Sequence, residues 1–591
     1  MKFVCILALA AVAQAAQITF RVVAPGATSV SVLVNGQQTA LSAADPTVPY
    51  FTGVAETGSD SKYKYQAGGV AETFDRPLPA GRTSTLNDFI NRPVTYADIP
   101  ELPWPIEKDP QWTRSGPKQP LFDTNYIPTI FVNGDVSQLD ALIANPVKTK
   151  YPVTLTYILA DETKTFTNVS FGIHGAGKKK NNSKQSWNWQ LNAGDTYQER
   201  SFFKIRHQEE DPTQIREKLY ADISRAMGTY ANEAVMVRLF INGDGFGTFN
   251  LLDDVTQYSY PSAMFYAGKP PAQMGGLFDG ASGASFQYSA TGDYYSWIQN
   301  PASPDEPSAI GPFCELWSKT DKTNDAAIAT VNQQLDLDSF VRFMVLEYLT
   351  GNWDGYWEGQ TNDGLYRDTT QNNKWYYLAQ DFDATFGVNL PSEDPTFVTW
   401  SYTKFPAAYP GAVLINGLLQ NPTYQKTFES YLKNTVQVLF NNVTLSNRIL
   451  KYHEFILPDL AWDRNITQRS PGIDFHWTLA QATANLYEGV VAGGTAPGGA
   501  GFGLLEWISK KADAVAKEFS ITITSTPVGP PSVANGNKPS ASATGPTTPT
   551  ATGPGSGGRG DTVANAAVLL SPGALTSIVL VGASIGVSLM M

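Results

Sequence analysis

The sequence predicts a multidomain chain: a small N-terminal β-sandwich, a large α+β region, and a C-terminal stretch with no packed core. Three observations carry this. The chain has 591 residues, 42% of them apolar, which is too long for one ordinary domain and enough for a sizeable core. Residues 17–95 hold short period-two runs ("ITFRVV", "SVSVLVNG", "KYKYQAGG") broken by Gly, Pro and Asp, whereas strands and helical spacing mix from residue 100 to 524. From Ser525 to Gly558 the composition collapses to Ser, Thr, Pro and Gly, which cannot bury enough apolar surface to fold and predicts an extended stalk.

The two ends read as address labels. Lys2, the apolar run Phe3–Ala13 and the small residues that follow form a secretory leader over residues 1–16. Residues 559–591 form an apolar terminal tail after a polar spacer, the pattern of a glycosylphosphatidylinositol (GPI) signal with attachment at Ser556 or alternatively Asn565. A transmembrane helix is the competing reading of that tail. The triplet Arg559-Gly560-Asp561 follows Ser556 and leaves with the tail if cleavage falls there. Four sequons, at Asn168, Asn181, Asn442 and Asn465, fit passage through the secretory route.

Composition also excludes. A formal net charge of −12 argues against an electrostatic grip on nucleic acid, and the run Lys178–Lys180 reads as a solvated loop. Cys5 belongs to the leader, so Cys314 is the single cysteine left and neither an internal disulfide nor a cysteine metal site can form. Four histidines without an HExxH pairing disfavour a histidine zinc centre, and no GxSxG elbow is present.

The large region opens with the strands "TIFVNG", "PVTLTYILA" and "FTNVSFGIHGAG". A helix is predicted next, with Pro212 in its first turn, Ile215, Leu219, Ile223 and Met227 as its apolar stripe, and Gly228 as its stop. "AVMVRLFINGDGFGTFNLLDD" predicts a hairpin turning at Asn242-Gly243, which accounts for the glycines of "DGFGTF" without a phosphate cradle. Asp338 or Ser339 can cap a helix that is apolar nearly all round and stops at Gly351.

Chemistry concentrates after that helix. Asp354 follows at once, Asn362 stands in a loop, "GLYRD" and "KWYYLA" read as paired strands, and the second ends in Asp381 and Asp383 before Gly387. Protein kinases place a catalytic Asp, a magnesium-binding Asn and a magnesium-binding Asp in this order, because phosphoryl transfer needs hard oxygen ligands and a carboxylate near the acceptor hydroxyl. In an extended chain both carboxylates of Asp-x-Asp point to one side. The same pattern also serves as a turn or cap.

"GNWD", the "LYRD" strand, "KWYYLAQDFDATFG" and the upstream "IHGAG", "KQSWNWQL", "DPTQIREKL" and "LFINGDGFGTFNLLD" resemble the spore-coat protein H (CotH) family of atypical, kinase-like proteins, over roughly Val153 to Phe519. "GAGKKKNNSKQSWNW" and "GQTNDGLYRD" are similar to loops of its fungal cell-surface branch of invasins. The resemblance implies Lys184 as the contact to ATP phosphates, with Lys204 competing for that role, Asp354 as the catalytic-loop Asp, and Asn362, Asp381 and Asp383 as ligands of Mg²⁺ or Mn²⁺. It makes Glu217 the natural helix partner of the lysine, yet at 100° per residue Glu217 lies ~140° from the stripe centre and is expected to face water. "GYWEGQ" departs from the usual polar loop after Asp354, which puts retained catalysis in question.

Two function classes follow. One is a GPI-anchored invasin on the plasma membrane or cell wall, binding a host-cell receptor through an exposed loop that includes Gly175, Lys178, Lys179, Lys180, Lys184 and Trp187. The other is a secretory-pathway or extracellular kinase using ATP and Mg²⁺ on a protein Ser or Thr.

Overall fold

The computed structural model describes residues 16–529 apart from 59–60, 79–80, 108–118, 176–181, 392–393 and 495–497. Nearly all of the expected leader and stalk, the anchor signal with Ser556 and Asn565, the Arg559-Gly560-Asp561 triplet, Asn181 and Lys178–Lys180 lie outside the described residues. No helix among the described residues is long and apolar enough to cross a membrane.

The N-terminal region is β-rich. It contains β1 (Ala16–Val23), β2 (Val30–Val34), β3 (Gln37–Ala43), β4 (Tyr50–Thr57), β5 (Lys62–Ala67), β6 (Val70–Ala71), β7 (Arg76–Pro77) and β8 (Asp88–Phe89). Their order is β6-β5-β2-β3-β4-β1-β8, with β7 on β5. The β2–β3 turn falls on Asn35-Gly36, both at positive φ (49° and 84°), as a two-residue hairpin requires. β1 and β5 are not neighbours in this order, yet Phe20 meets Tyr63 edge-on at 5.1 Å, so the sheet folds over a shared core.

A closed barrel follows, built from β9 (Thr129–Gly134), β10 (Lys150–Ile158), β11 (Thr163–Ile173), β12 (Trp187–Gln190), β13 (Phe202–Arg206), β14 (Ala234–Ile241) and β15 (Asp244–Leu252). α1 (Val136–Ala144) lies between β9 and β10, and α2 (Arg216–Met227) between β13 and β14. Period-two alternation drives Phe171, Trp187, Trp189, Phe203 and Ile205 inward, where Trp189 donates its indole N–H to the Tyr157 hydroxyl at 2.6 Å. The other face of β13 carries Lys204 and Arg206. The β14–β15 hairpin turns at Asn242-Gly243 (φ 48° and 86°) as the sequence predicts.

α2 starts later than its pattern suggests. Pro212 lies before the helix, because Asp211 accepts the N–H groups of Ile215 and Arg216, both at 2.8 Å, and Gln214 sits at φ 55°. Gly228, at φ 74°, ends it.

The second half has α3 (Ser259–Tyr266), β16 (Leu277–Gly280), β17 (Trp297–Gln299), α4 (Gly311–Lys319), α5 (Asp325–Gln334), α6 (Leu337–Thr350), α7 (Tyr356–Gly359), β18 (Asp363–Asp368) and β19 (Lys374–Ala379). β17-β16-β18-β19 form one sheet. Phe340, Phe343 and Leu346 of α6 are fully buried, and Gly351 ends it at φ 59°. Asp338 does not cap it. It accepts instead from Arg342 Nε at 2.8 Å and from the Tyr431 hydroxyl. The chain closes with α8 (Phe405–Ala408), α9 (Val413–Leu418), α10 (Pro422–Val438), α11 (Asn442–Asp463), α12 (Leu479–Ala484) and α13 (Leu504–Phe519). Beyond α13, Ile521 and Ile523 pack on the helical core and Thr524 N–H bonds Gln437 O at 3.0 Å.

The N-terminal region is fastened to the barrel and to α11. Asp459 takes Arg238 at 2.7 and 2.9 Å and Arg92 at 2.9 Å. Beside this triad Phe240 stacks with Phe131 at 5.1 Å, with Trp462 at 5.4 Å and with Phe89 at 6.5 Å.

Candidate functional site

The outward face of β13 meets the downstream end of β19. Lys204 Nζ donates to Gln380 Oε1 at 2.9 Å. Arg206 reaches both carboxylates of the Asp-x-Asp pair: Nη1 to Asp381 Oδ2 at 3.0 Å, Nη2 to Asp381 Oδ1 at 2.8 Å and Nη2 to Asp383 Oδ2 at 3.1 Å. The backbone is not extended here, since Asp381 has φ 64°. The two carboxylates share a target because of that twist, not because of strand geometry.

Glu217 does not face water. It is fully buried, with Oε2 accepting Phe382 N–H at 2.7 Å and Oε1 accepting Asn232 Nδ2 at 3.1 Å. The wheel argument fails because α2 is buried nearly all round, Ser224 and Lys218 included, so the face away from the apolar stripe is another packed face. Burial, and then the Asp381 charge, push the Glu217 carboxyl above its ordinary range. Glu217, Asp381 and Asp383 bring carboxylate oxygens within 4.8 Å of one another.

Around Lys204 lies a second set of groups. Burial first, and then the Lys204 charge, take the His174 imidazole down to about 3, so it is neutral at physiological pH. Burial raises the Asp254 carboxyl, but the Lys204 charge and two bonds from Thr256 outweigh it and hold it below the usual value. Asn188, which faces outward opposite Lys204, lies 3.4 Å from the His174 ring.

Asp354 and Asn362 are brought together. Asn362 Nδ2 donates to Asp354 Oδ2 at 2.7 Å and to its carbonyl at 2.8 Å, while Asn362 O accepts Gln380 N–H at 3.2 Å, which sets the pair beside the 381–383 segment. The unusual "GYWEGQ" loop is pinned from below: Glu347 of α6 accepts Tyr356 N–H at 3.1 Å and Trp357 N–H at 2.8 Å. Burial pushes Glu347 up to about 8.

Lys184 is elsewhere. Its ammonium lies 2.6 Å from Asp463 of α11 and 3.6 Å from Glu209, and it is 1% exposed. Of the two lysines, Lys204 is therefore the one in the cleft. Trp187, also 1% exposed, stacks on Phe171 inside the barrel. Lys184 and Trp187 thus cannot belong to an exposed receptor loop. Gly175 is half-buried at φ 70°, and the loop after it lies outside the described residues. Among the sequons, Asn168, Asn442 and Asn465 are exposed.

Sequence reasoning missed Arg206, Asn232, His174 and Asp254. Arg206 was findable, because "FFKIR" alternates and puts Lys204 and Arg206 on one face. The amide atoms of Asn250, both ends of Gln208, Asn232 Oδ1 and Arg206 Nε are buried and find no hydrogen-bond partner among the described residues. An all-oxygen anionic floor facing Lys204 and Arg206 suits a divalent cation with a phosphate-bearing ligand.

A family model described as CotH kinase protein matches residues 171–482, which include β12, β13, α2, the Asp354 loop and the Asp381 segment. The chain belongs to the CotH kinase protein family. It is 60% identical over 540 residues to invasin CotH3 of Rhizopus delemar, covering 90% of each chain. Invasin CotH2 of the same fungus is 57% identical over 533 residues, covering 89% of this chain and 88% of that one. The inner spore coat protein H of Bacillus subtilis is 22% identical over 268 residues, covering 43% of this chain and 67% of that protein.

Proposed function

We propose that this CotH family chain is a cell-surface invasin, held by a GPI anchor and engaging a receptor on host cells. The observation that carries it is 60% and 57% identity, over 90% and 89% of this chain, to proteins named invasins, a span well beyond the kinase-like core. The lysines Lys178, Lys179 and Lys180 are the recognition residues of this reading, suited to an acidic receptor surface. Exposed Asn168, Asn442 and Asn465 accept glycans during secretion. The test displays the chain on a non-adherent yeast and counts adhesion to mammalian cells. Replacing Lys178, Lys179 and Lys180 together by Glu should cut adhesion severalfold, and undiminished adhesion would remove the loop from the reading.

The carboxylate cleft favours a second reading, transfer of a phosphoryl group from ATP to a protein hydroxyl. In it Asp354 positions and deprotonates the acceptor hydroxyl, Asn362 orients Asp354, and Lys204, not Lys184, neutralises the phosphates. Mg²⁺ or Mn²⁺ held by Asn362, Asp381 and Asp383 would supply charge neutralisation. Labelled ATP offered to wild type and to a D381N/D383N variant tests this, and label transfer that persists in the variant would refute it.

A further inference from the structure

We infer that Glu347 is the positioning residue of Asp354: its buried carboxyl fixes the backbone of the loop that carries Asp354 and ties that loop to the strand leading to Asp381. The inference rests on the phosphoryl-transfer reading for its chemistry, and Glu347 acts through Asp354 without touching substrate.

The bonds enclose Asp354 from both sides. Upstream, Gly351 ends α6 at φ 59°, and Asn352 N–H returns to the Glu347 carbonyl at 3.1 Å. Downstream, the Glu347 side chain accepts Tyr356 N–H through Oε1 at 3.1 Å and Trp357 N–H through Oε2 at 2.8 Å. One residue thus holds the chain before Asp354 with its backbone and after it with its carboxyl. Between them Gly355 passes so close that a Cβ there would lie 3.0 Å from the Glu347 carboxyl carbon and 2.8 Å from Asn352 Nδ2. Asn362 then aims the Asp354 side chain, at 2.7 Å. The Tyr377 hydroxyl of β19 approaches Glu347 Oε1 at 3.4 Å, on the strand that runs on to Asp381. Loop and strand share one anchor, and a reaction between groups held by both depends on their relative placement.

Energetics separate position from stability. Glu347 is 3% exposed, its neighbours Phe343, Leu346 and Tyr348 on α6 are buried, and no cation is among the groups that act on its carboxyl. A carboxyl buried without a cation is costly, whereas an apolar residue of similar volume carries no such desolvation cost. What the carboxyl adds is a pair of acceptors at fixed places. Leucine offers none, and glutamine keeps one.

The test compares wild type, E347L and E347Q, each as the full secreted chain, in label transfer from ATP, nucleotide affinity and thermal melting. E347L should transfer about a hundredfold more slowly, the loss that a small misplacement brings, with nucleotide affinity within about twofold of wild type and a midpoint within a few degrees. E347Q should recover most of the rate, because its amide oxygen still accepts one N–H. A wild-type rate in E347L overturns the positioning role. So does a loss that comes with weakened nucleotide binding or a collapsed midpoint, which would make the residue structural, and so does an E347Q as slow as E347L. If wild type itself transfers no label, the phosphoryl-transfer reading falls and amide exchange decides the positioning: faster exchange in E347L confined to residues 352–358 supports it, and unchanged exchange there overturns it.

Discussion

Glu217 and Phe382 are joined across the cleft: the carboxylate accepts the Phe382 N–H at 2.7 Å, and the Phe382 ring stacks at 3.8 Å on Tyr220, one turn further along the same helix. One helical face therefore grips both the backbone and the side chain of the residue between Asp381 and Asp383. Y220A should cost about 3–5 kcal/mol, as for other buried aromatic truncations, and lower the thermal midpoint. It should also loosen the 381–383 segment, seen as faster amide exchange there. E217Q keeps an acceptor oxygen and should change the midpoint much less.

The two lysines make opposite predictions. K184A leaves Asp463 and Glu209 with Arg464 alone, at 3.2 and 3.4 Å, and should cost about 3 kcal/mol with no specific loss of nucleotide affinity. On the phosphoryl-transfer reading K204A should weaken Mg-ATP binding, and it should cost less stability than K184A because its direct hydrogen bond is to the neutral Gln380, while the buried Asp254 carboxyl rises for want of the Lys204 charge. Calorimetric nucleotide titration beside thermal melts separates the two.

The Asp459 triad predicts acid lability. Burial raises the Asp459 carboxyl, but Arg238 and Arg92 outweigh it and hold it below its ordinary 3.8. A folded value below the unfolded one gives stability that is complete above the unfolded value and lost as pH falls through the folded one. D459N should remove that acid sensitivity and destabilise the protein at neutral pH by leaving two arginines underpaired, which melts between pH 2.5 and pH 7 would reveal.

Lys511 predicts a slope of the same sign in the alkaline range. Its ammonium is fully buried without a hydrogen-bond partner among the described residues, 4.2 Å from the Tyr348 ring centre, with the Glu358 and Glu518 charges too weak to compensate. Burial takes it down from 10.5 to about 7. Between those values the unfolded chain binds a proton that the folded chain refuses, so this group makes stability rise from pH 7 to 10.5. K511M should raise the thermal midpoint at pH 7 and flatten that rise.

The elements were legible where a local rule fixes them. Asn242-Gly243 can only turn tightly between two alternating runs, and Gly351 and Gly228 stop their helices at positive φ. The order Asp354, Asn362, Asp381 was readable because it is linear in the chain. What failed was long-range: Lys184 is claimed by Asp463, 279 residues away, and nothing near "KQSWNW" announces that. Glu217 was misjudged because a helical wheel knows one packing face, whereas α2 is enclosed on all sides. Arg206 was overlooked because an arginine beside two future carboxylates looks, in the sequence alone, like any strand residue.

The short run after α13 has a mechanical side. Residues 520–529 are fastened by Ile521, Ile523 and the Thr524–Gln437 bond, and Val528 and Gly529 line a hollow of about 290 Å³ with Pro103, Trp104 and Pro105. If the protein is tethered by its C-terminal side and loaded by a partner at the β11–β12 loop, tension reaches this run before it reaches α13. Peeling its ten residues would free at most roughly 33 Å of chain at 3.3 Å per residue while leaving the cleft untouched. Under such a load the run would act as a spring that yields ahead of α13 and spares the packed core.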